Sequence, residues 1–420
     1  MKHLARALRH RNFRLFFAGQ SISLIGTWMT QVATGWLVYR LSRSAFWLGV
    51  SGFSGQIPVF LFSAFAGVWV DRLNLRRVMI ATQVLAMLQS LTLAFLTLTH
   101  RITLVQLIVL GFAQGLINVF DMPARQAFVV HMVSDKKDLG NAIALNSFMV
   151  NVARLVGPTL AGILIAATNE GMCFLVDGLS YVAVVASLVL MTLSLPRKTG
   201  PHPGVFHELK EGARYALGFP PIRYVLLLLA VFSLMGMPHA LLMPVFASEI
   251  FHGDAHALGM LLGASGFGAI LGAVFLASKK SVLGLGRIMV TTGILFGAGI
   301  VLFSLSHIWW LSLCLLAVTG LSLIMLVASA NTFLQTIAED AKRGRLMSLF
   351  TIAFIGMAPF GSLLSGWMAK KIGAPHTLLI EGVCCIAGAI AFAKVIPAMR
   401  IHVRPIYLEK GILQAEIPPA

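Results

Sequence analysis

The pattern of this chain is long, nearly unbroken apolar runs separated by short polar or charged tracts. Twelve runs are legible, at 15–39, 45–70, 78–98, 102–120, 141–167, 171–194, 223–248, 256–277, 288–306, 309–330, 346–369 and 374–396. Each is close to or above the ~20 residues a helix needs to cross a hydrocarbon core. Lipid offers no hydrogen-bond partner, so the backbone must satisfy itself as a helix or a closed barrel. Barrel strands alternate apolar and polar positions over about ten residues, whereas these runs are continuously apolar. The pattern predicts an all-α integral membrane protein of twelve transmembrane helices.

The longest internal polar stretch, Leu195 to Ile222, falls after the sixth run and is rich in Pro, Gly, His and basic residues. It divides the chain into a six-helix bundle over 1–194, a central loop over 195–222, a second six-helix bundle over 223–400 and a tail over 401–420. Residues Val205 to Leu217 of the loop read as a short amphipathic helix at the membrane surface. His207 and Glu208 resemble the start of a zinc-protease motif, but Glu211 stands where its second His is required. The halves read as a diverged repeat: Phe174-Leu-Val-Asp177-Gly178 parallels Leu378-Leu-Ile-Glu381-Gly382, and Gly157-Pro158 parallels Ala358-Pro359. Two related bundles suit rocking of one against the other around a central site.

Composition supports the membrane reading. Only 11% of the 420 residues are charged, against roughly 25% in soluble domains, which is too few to cover a water-facing surface. A formal charge of +17 suggests a nucleic-acid binder in a soluble protein, but here placement decides. Of the 32 Lys and Arg, 25 lie on the loops that share a side with the N-terminus and five on the other side. That asymmetry predicts a membrane protein with both termini cytoplasmic, and no nucleic-acid partner is expected. The basic N-terminus before an apolar run resembles a signal peptide, but no cleavage site interrupts the run, which reads as an uncleaved first span. Cys173, Cys314, Cys384 and Cys385 lie within apolar runs without metal-binding spacing, so neither metal nor cofactor is expected.

Local motifs narrow the reading. Gly67-Val-Trp-Val-Asp71-Arg72-Leu-Asn-Leu-Arg76-Arg77 resembles the G-x-x-x-D-R-x-x-x-R-R signature of the major facilitator superfamily, although the usual second glycine is absent and Asn74 stands near its place. The resemblance implies a cytoplasmic gate, a latch that stabilises the outward-facing state. Chemically, Gly67 permits close helix approach, Asp71 can meet a helix N-terminus, and the arginines can hold carboxylates; the plainer alternative is that they only enforce topology. Arg154-Leu-Val-Gly157-Pro158-Thr-Leu-Ala161-Gly162 is similar to the exporter motif G-P-x-x-G-G of the superfamily, which accompanies drug–proton antiporters; small-residue packing around a proline bend is the alternative. Asp121-Met-Pro123-Ala-Arg125-Gln126, Asn141 to Asn146, Asn331 to Gln335 and Arg343 to Ser348 resemble the branch of drug and macrolide efflux proteins and siderophore (enterobactin-type) exporters.

Ionisable groups inside spans are functional candidates. Arg154 lies in the fifth span, Asp177 in the sixth and Glu381 in the twelfth, as candidate proton carriers or ion-pair partners. Asp177 and Arg154 lie on consecutive spans and could pair, although their depths differ by about 10 Å at ~1.5 Å per residue, which is long even for Arg. The superfamily resemblance places the substrate path between spans 1, 4, 7 and 10. The residues offered there include Trp28 and Gln31, Gln114 and Asn118, Met235 and His239, and Met325. Aromatic and thioether groups suit bulky apolar substrates, and Gln and Asn supply orienting hydrogen bonds. Gly236-Met-Pro238 is expected to break span seven, and His239 beside it reads as a titrating group or a hydrogen-bonded structural one.

The function expected is secondary active export of a small hydrophobic molecule, a drug, macrolide or siderophore, by proton antiport and alternating access. The partners implied are that substrate, protons and membrane lipid, with the chain a monomer. The alternative is a flippase for lysophospholipid or another lipid, with Arg154 as the headgroup site. The enzyme signatures H-E-x-x-H, G-x-S-x-G and G-x-x-x-x-G-K-[ST] are absent, so an enzyme is not expected.

Overall fold

In the computed structural model the apolar runs are helices, and residues 6–133, 135–191, 214–279, 281–339 and 342–413 are described, with only the backbone at 64, 67, 68, 71, 72, 130 and 136. The helices are α1 (Arg11–Ser42), α2 (Ala45–Arg72), α3 (Leu75–Leu98), α4 (Leu104–His131), α5 (Leu139–Ala167) and α6 (Glu170–Leu190). The second set is α7 (Pro220–Ile250), α8 (Ala255–Ser278), α9 (Leu285–Leu305), α10 (Trp309–Ile337), α11 (Arg343–Ile372) and α12 (Ala374–Glu409). Eleven of them, all but α1, are both long and apolar enough to cross a membrane. The first is long enough at 32 residues but carries Gln, Ser and Thr along its length.

Packing forms two bundles. In the first, α6 lies against α1 and α3, α5 against α1, and α2 against α4. In the second, α12 lies against α9, α10 against α8 and α9, and α7 against α12. The sequence repeat is mirrored in this packing. Gly178 of α6 abuts Leu91 of α3, and Gly382 of α12 abuts Gly297 of α9. The bundles meet along α2–α11 and α5–α8.

The start of α1 and the end of α12 share one side, the near side; the closest approaches between bundles sit toward the other, the far side. A methyl group at Gly49 would lie 2.6 Å from the Ser362 carbonyl oxygen and 2.9 Å from Gly366 Cα. One at Gly162 would lie 3.0 Å from Gly259 Cα. Only residues without a side chain let these backbones touch. Tyr39, at the far end of α1, donates a hydrogen bond to Glu249 at the far end of α7.

Several boundaries differ from the sequence reading. Helix α4 continues eleven residues past the expected end at 120, through Pro123 to His131. Helix α12 runs through Pro397 and Pro405 to Glu409, taking in part of the expected tail. In both cases hydropathy falls where the helix leaves the apolar layer, while backbone hydrogen bonding continues. The central loop lies outside the described residues up to 213, as does most of the expected surface helix; 214–218 are helical.

Helix α7 breaks where Gly236-Met-Pro238 predicts. The turn at Phe232–Gly236 is widened, Met237–Leu242 is tightened, and Phe246–Ile250 is widened again. Pro238 and Pro244 each remove a backbone donor and crowd the carbonyl four residues earlier. The Leu234 carbonyl, which Pro238 cannot serve, instead lies against Gly361 of α11.

Candidate substrate cavity and flanking charge sites

A cavity of about 360 Å³ lies between the bundles, within the ~300–1,000 Å³ usual for small-molecule sites. Its walls come from α1 (Trp28, Gln31), α2 (Gln56), α5 (Arg154, Pro158), α7 (Met237 to Leu241), α8 (Ser265, Gly266), α10 (Leu323, Val327) and α11 (Phe354, Ser362). Most of this surface is apolar, with a few convergent polar groups. Its position follows from the packing. The bundles touch along two helix pairs, and the space enclosed between those pairs remains unfilled.

The expected path through spans 1, 4, 7 and 10 compares with this wall as follows. Trp28, Gln31 and His239 line it. Gln114 and Asn118 do not: α4 packs behind α2, and Gln114 Nε2 donates to Asn118 Oδ1 at 3.2 Å. Met325 is buried, and Met235 packs against the hydrophobic core; Met237, two residues on, faces the cavity instead. The widened turn before Pro238 rotates the helix face, which a regular 3.6-residue period does not anticipate. His239 Nδ1 lies 2.6 Å from the Gly236 carbonyl oxygen and its ring stands edge-on to Phe296 at 5.6 Å. A carbonyl only accepts, so Nδ1 carries a proton and donates it to Gly236.

The exporter-type motif forms the wall that holds Arg154. A methyl at Gly157 would meet Trp28 Cβ at 2.4 Å, so the glycine lets α1 press its indole against α5. The Arg154 guanidinium then lies over that indole, 5.2 Å from the ring centroid, a cation–π arrangement. A methyl at Gly259 would lie 2.6 Å from the Pro158 carbonyl oxygen, and one at Gly266 would lie 2.8 Å from that of Arg154. Gly157, Pro158 and Gly162 therefore sit where α5 contacts α1 and α8.

Arg154 does not pair with Asp177. The two face different neighbours: Arg154 turns to the cavity, and Asp177 is buried between α1, α3 and α6. Asp177 Oδ2 accepts hydrogen bonds from Thr30 Oγ1 and Ser90 Oγ, each at 2.9 Å. Its Oδ1 is buried without a partner. Glu381 is likewise buried, beside Ser365, with Oε2 unpartnered. Neither carboxyl lines the cavity.

In the gate motif, the side chains of Gly67, Asp71 and Arg72 lie outside the described residues. Arg76 donates from Nε to the Leu188 carbonyl (2.9 Å) and from a terminal nitrogen to that of Val189 (2.7 Å), capping the C-terminus of α6 as a cation should. Arg77 is exposed, and its backbone N–H is capped by Asn74 Oδ1 at 3.2 Å. Asn74, in place of the usual glycine, is thus the N-cap of α3.

One charge site was not singled out from sequence. Asp121 of α4 is buried, accepts from Thr82 Oγ1 (3.0 Å) and Gln83 Nε2 (2.7 Å) of α3, and pairs with Arg125. The signal was present: four residues separate Asp121 from Arg125, the spacing of a helical ion pair.

Comparison with known proteins agrees with this geometry. Residues 4–404 match the family described as transmembrane secretion effectors. The staphyloferrin A transporter of Staphylococcus aureus is 24% identical over 383 residues, covering 90% of this chain and 95% of that protein. Macrolide efflux protein A of Streptococcus pyogenes is 24% identical over 405 residues, covering 90% and 96%. The enterobactin exporter of Escherichia coli O1:K1 is 24% identical over 367 residues, 86% of each chain. In fold, the chain resembles a bacterial homologue of the human lysosomal transporter Spinster, solved inward-facing and unoccupied. That match has a TM-score of 0.69 and 14% identity, over 95% of this chain and 98% of that one.

Proposed function

The chain belongs to the family of transmembrane secretion effectors, within the major facilitator superfamily, and from that premise we propose that it exports a small hydrophobic molecule, a drug, macrolide or siderophore, by proton antiport. It is a transporter and not an enzyme. The observation that carries the export reading is the cavity between two bundles that approach each other most closely on the far side. With both termini cytoplasmic, as the Lys and Arg bias implies, the far side is external and the arrangement is inward-facing, ready to load from the cell. In the outward-facing state, Asp71, Arg72, Arg76 and Arg77 would latch the cytoplasmic side. Asp177 and Glu381, each with an unpartnered oxygen, are the proposed proton sites.

A lipid flippase is the second reading, and Arg154 in the cavity wall favours it as a headgroup site. The test is comparative secretion. Cells with and without the gene are compared for drug susceptibility and secreted metabolites by mass spectrometry, and candidate substrates are then followed into inside-out vesicles under an imposed pH gradient. Uptake that collapses with the gradient supports proton-driven export. Uptake indifferent to it removes the antiport, and movement of lysophospholipid alone replaces export with flipping.

A further inference from the structure

Arg154 stands out within the cavity. Among the described lining residues there is no Asp or Glu, and His239 is the only other titratable one. The guanidinium meets Trp28 face-on, a contact that uses a ring face and none of the guanidinium N–H donors. Its Nε is buried without a hydrogen-bond partner, and no acid lies within ion-pair distance among the described residues. The other polar groups on the cavity wall are Gln31 on α1, Gln56 on α2, His239 on α7, Ser265 on α8 and Ser362 on α11, and none of them is an acid. Asp177, in the next helix, is turned away toward Thr30 and Ser90.

A charge removed from water and left without a counter-charge is unfavourable. Two other buried ionic groups have their counter-charge: Asp121 is paired with Arg125, and Glu170 with Arg40. In the cavity a partly buried cation is left without an acid partner among the described residues, with its edge available to a bidentate acceptor and an aromatic face beside it. Cationic ligands meet the same charge as repulsion, so the site selects against them.

We propose that the transported molecule is an amphipathic organic anion whose carboxylate or phosphate docks on Arg154 while its apolar or aromatic body packs on Trp28, Leu323, Val327 and Phe354. This rests on the export reading for its cavity and narrows the substrate class of that site. Lipophilic cations are excluded from it. A free carboxylate and an anionic lipid headgroup share this chemistry, and the test separates them.

The experiment is binding to the purified full-length protein in nanodiscs, with empty nanodiscs subtracted, read by fluorescence anisotropy. The probes are pyrenebutyrate, its neutral amide, the matching pyrenebutyl-trimethylammonium, and a pyrene-labelled lysophosphatidylglycerol. Saturable binding of the carboxylate or the lysolipid is expected, roughly tenfold or more tighter than that of the cation, the scale of hydrogen bonds to a charged group. In R154Q the difference between anion and cation is expected to vanish, and in R154K part of it to remain. The thermal unfolding midpoint of each variant guards against misfolding, and the comparison within the unmodified protein needs no variant. Preference for the carboxylate assigns a soluble substrate; preference for the lysolipid assigns a headgroup, and both support the anion site. Cation binding as tight as anion binding, no saturable binding of either anion, or an unchanged preference in a folded R154Q overturns it. Anion binding through Arg154 with no transport in vesicles would sink the export reading and leave the anion site at Arg154 standing; export of the cation alongside the anion would sink the anion selectivity and leave the export reading standing.

Discussion

Tyr39 and Glu249 join the two bundles by a single hydrogen bond at the far ends of α1 and α7, beside the glycine contacts that bring α2 to α11 and α5 to α8. Tyr39 is buried and Glu249 exposed, so the bond ties the interior of one bundle to the rim of the other and biases closure. A hydrogen bond to a charged group contributes about 1.5–3 kcal/mol, which corresponds to a roughly tenfold to hundredfold shift between two conformations. Y39F is expected to open the far side. Spin labels at R101C and H307C, on exposed far-side loops of opposite bundles, should report a longer distance distribution in Y39F than in the parent. An unchanged distribution would assign closure to the glycine contacts alone.

Asp121 and Arg125 supply a second prediction. Breaking a buried ion pair from one side costs about 3–5 kcal/mol because the remaining charge is stranded. D121N is expected to lower the unfolding midpoint in detergent sharply, since Arg125, Thr82 and Gln83 all donate to that carboxylate. The double variant D121N/R125M removes both charges and should recover much of the loss. A double-mutant cycle gives the coupling directly, and additivity within ~0.5 kcal/mol would show that the pair is not interacting.

These two sites show what was and was not legible in the chain. The helices were, because lipid forces a long apolar run into one conformation. The break at Pro238 was too, because a missing donor acts locally. Asp121 and Arg125 were hidden by the same rule that found the spans: two charges end an apolar run, so α4 was closed at 120 when its backbone continues to His131. Arg154 over Trp28 joins residues far apart in sequence, and only the packing allowed by Gly157 brings them together. Arg154 and Asp177, which consecutive spans allowed as a pair, face different neighbours for a related reason. Position along a span sets the depth of each but not the face it presents. The absence of α4 from the cavity wall has the same origin: Gln114 and Asn118 sit on a face that depends on how α2 packs, and no local pattern reports that.

Gly157 separates a packing role from a merely permissive one. An added methyl would lie 2.4 Å from Trp28 Cβ, so G157A must push α1 off α5 or rotate the indole out from under Arg154. Overpacking of this kind costs about 1–3 kcal/mol. G157A is expected to lower both the unfolding midpoint and the transport rate. Gly140 and Gly344 have open space where a side chain would go, and Ala is a better helix former than Gly by ~1 kcal/mol. G140A and G344A should therefore be neutral or slightly stabilising. If G157A matched them, the close approach of α1 and α5 would not be needed for function.

Asp177 gives the sharpest test of coupling. Its buried carboxyl is reached by Thr30 of α1 and Ser90 of α3, so a change in its protonation acts on three helices of the first bundle at once. It does not touch the cavity, so its neutralisation leaves the substrate site intact. D177N keeps the shape and still accepts from Thr30 and Ser90, but it cannot exchange a proton. In vesicles, D177N is expected to equilibrate substrate in both directions while losing accumulation against a gradient when a pH difference is imposed. E381Q, at the repeat-related position in α12, provides the parallel variant. Loss in D177N alone would assign coupling to the first bundle, and loss in both would make the carboxyls act as a pair. Full pH-driven accumulation in D177N and E381Q would remove both residues from the proton path and leave the driving ion to be sought elsewhere in the chain.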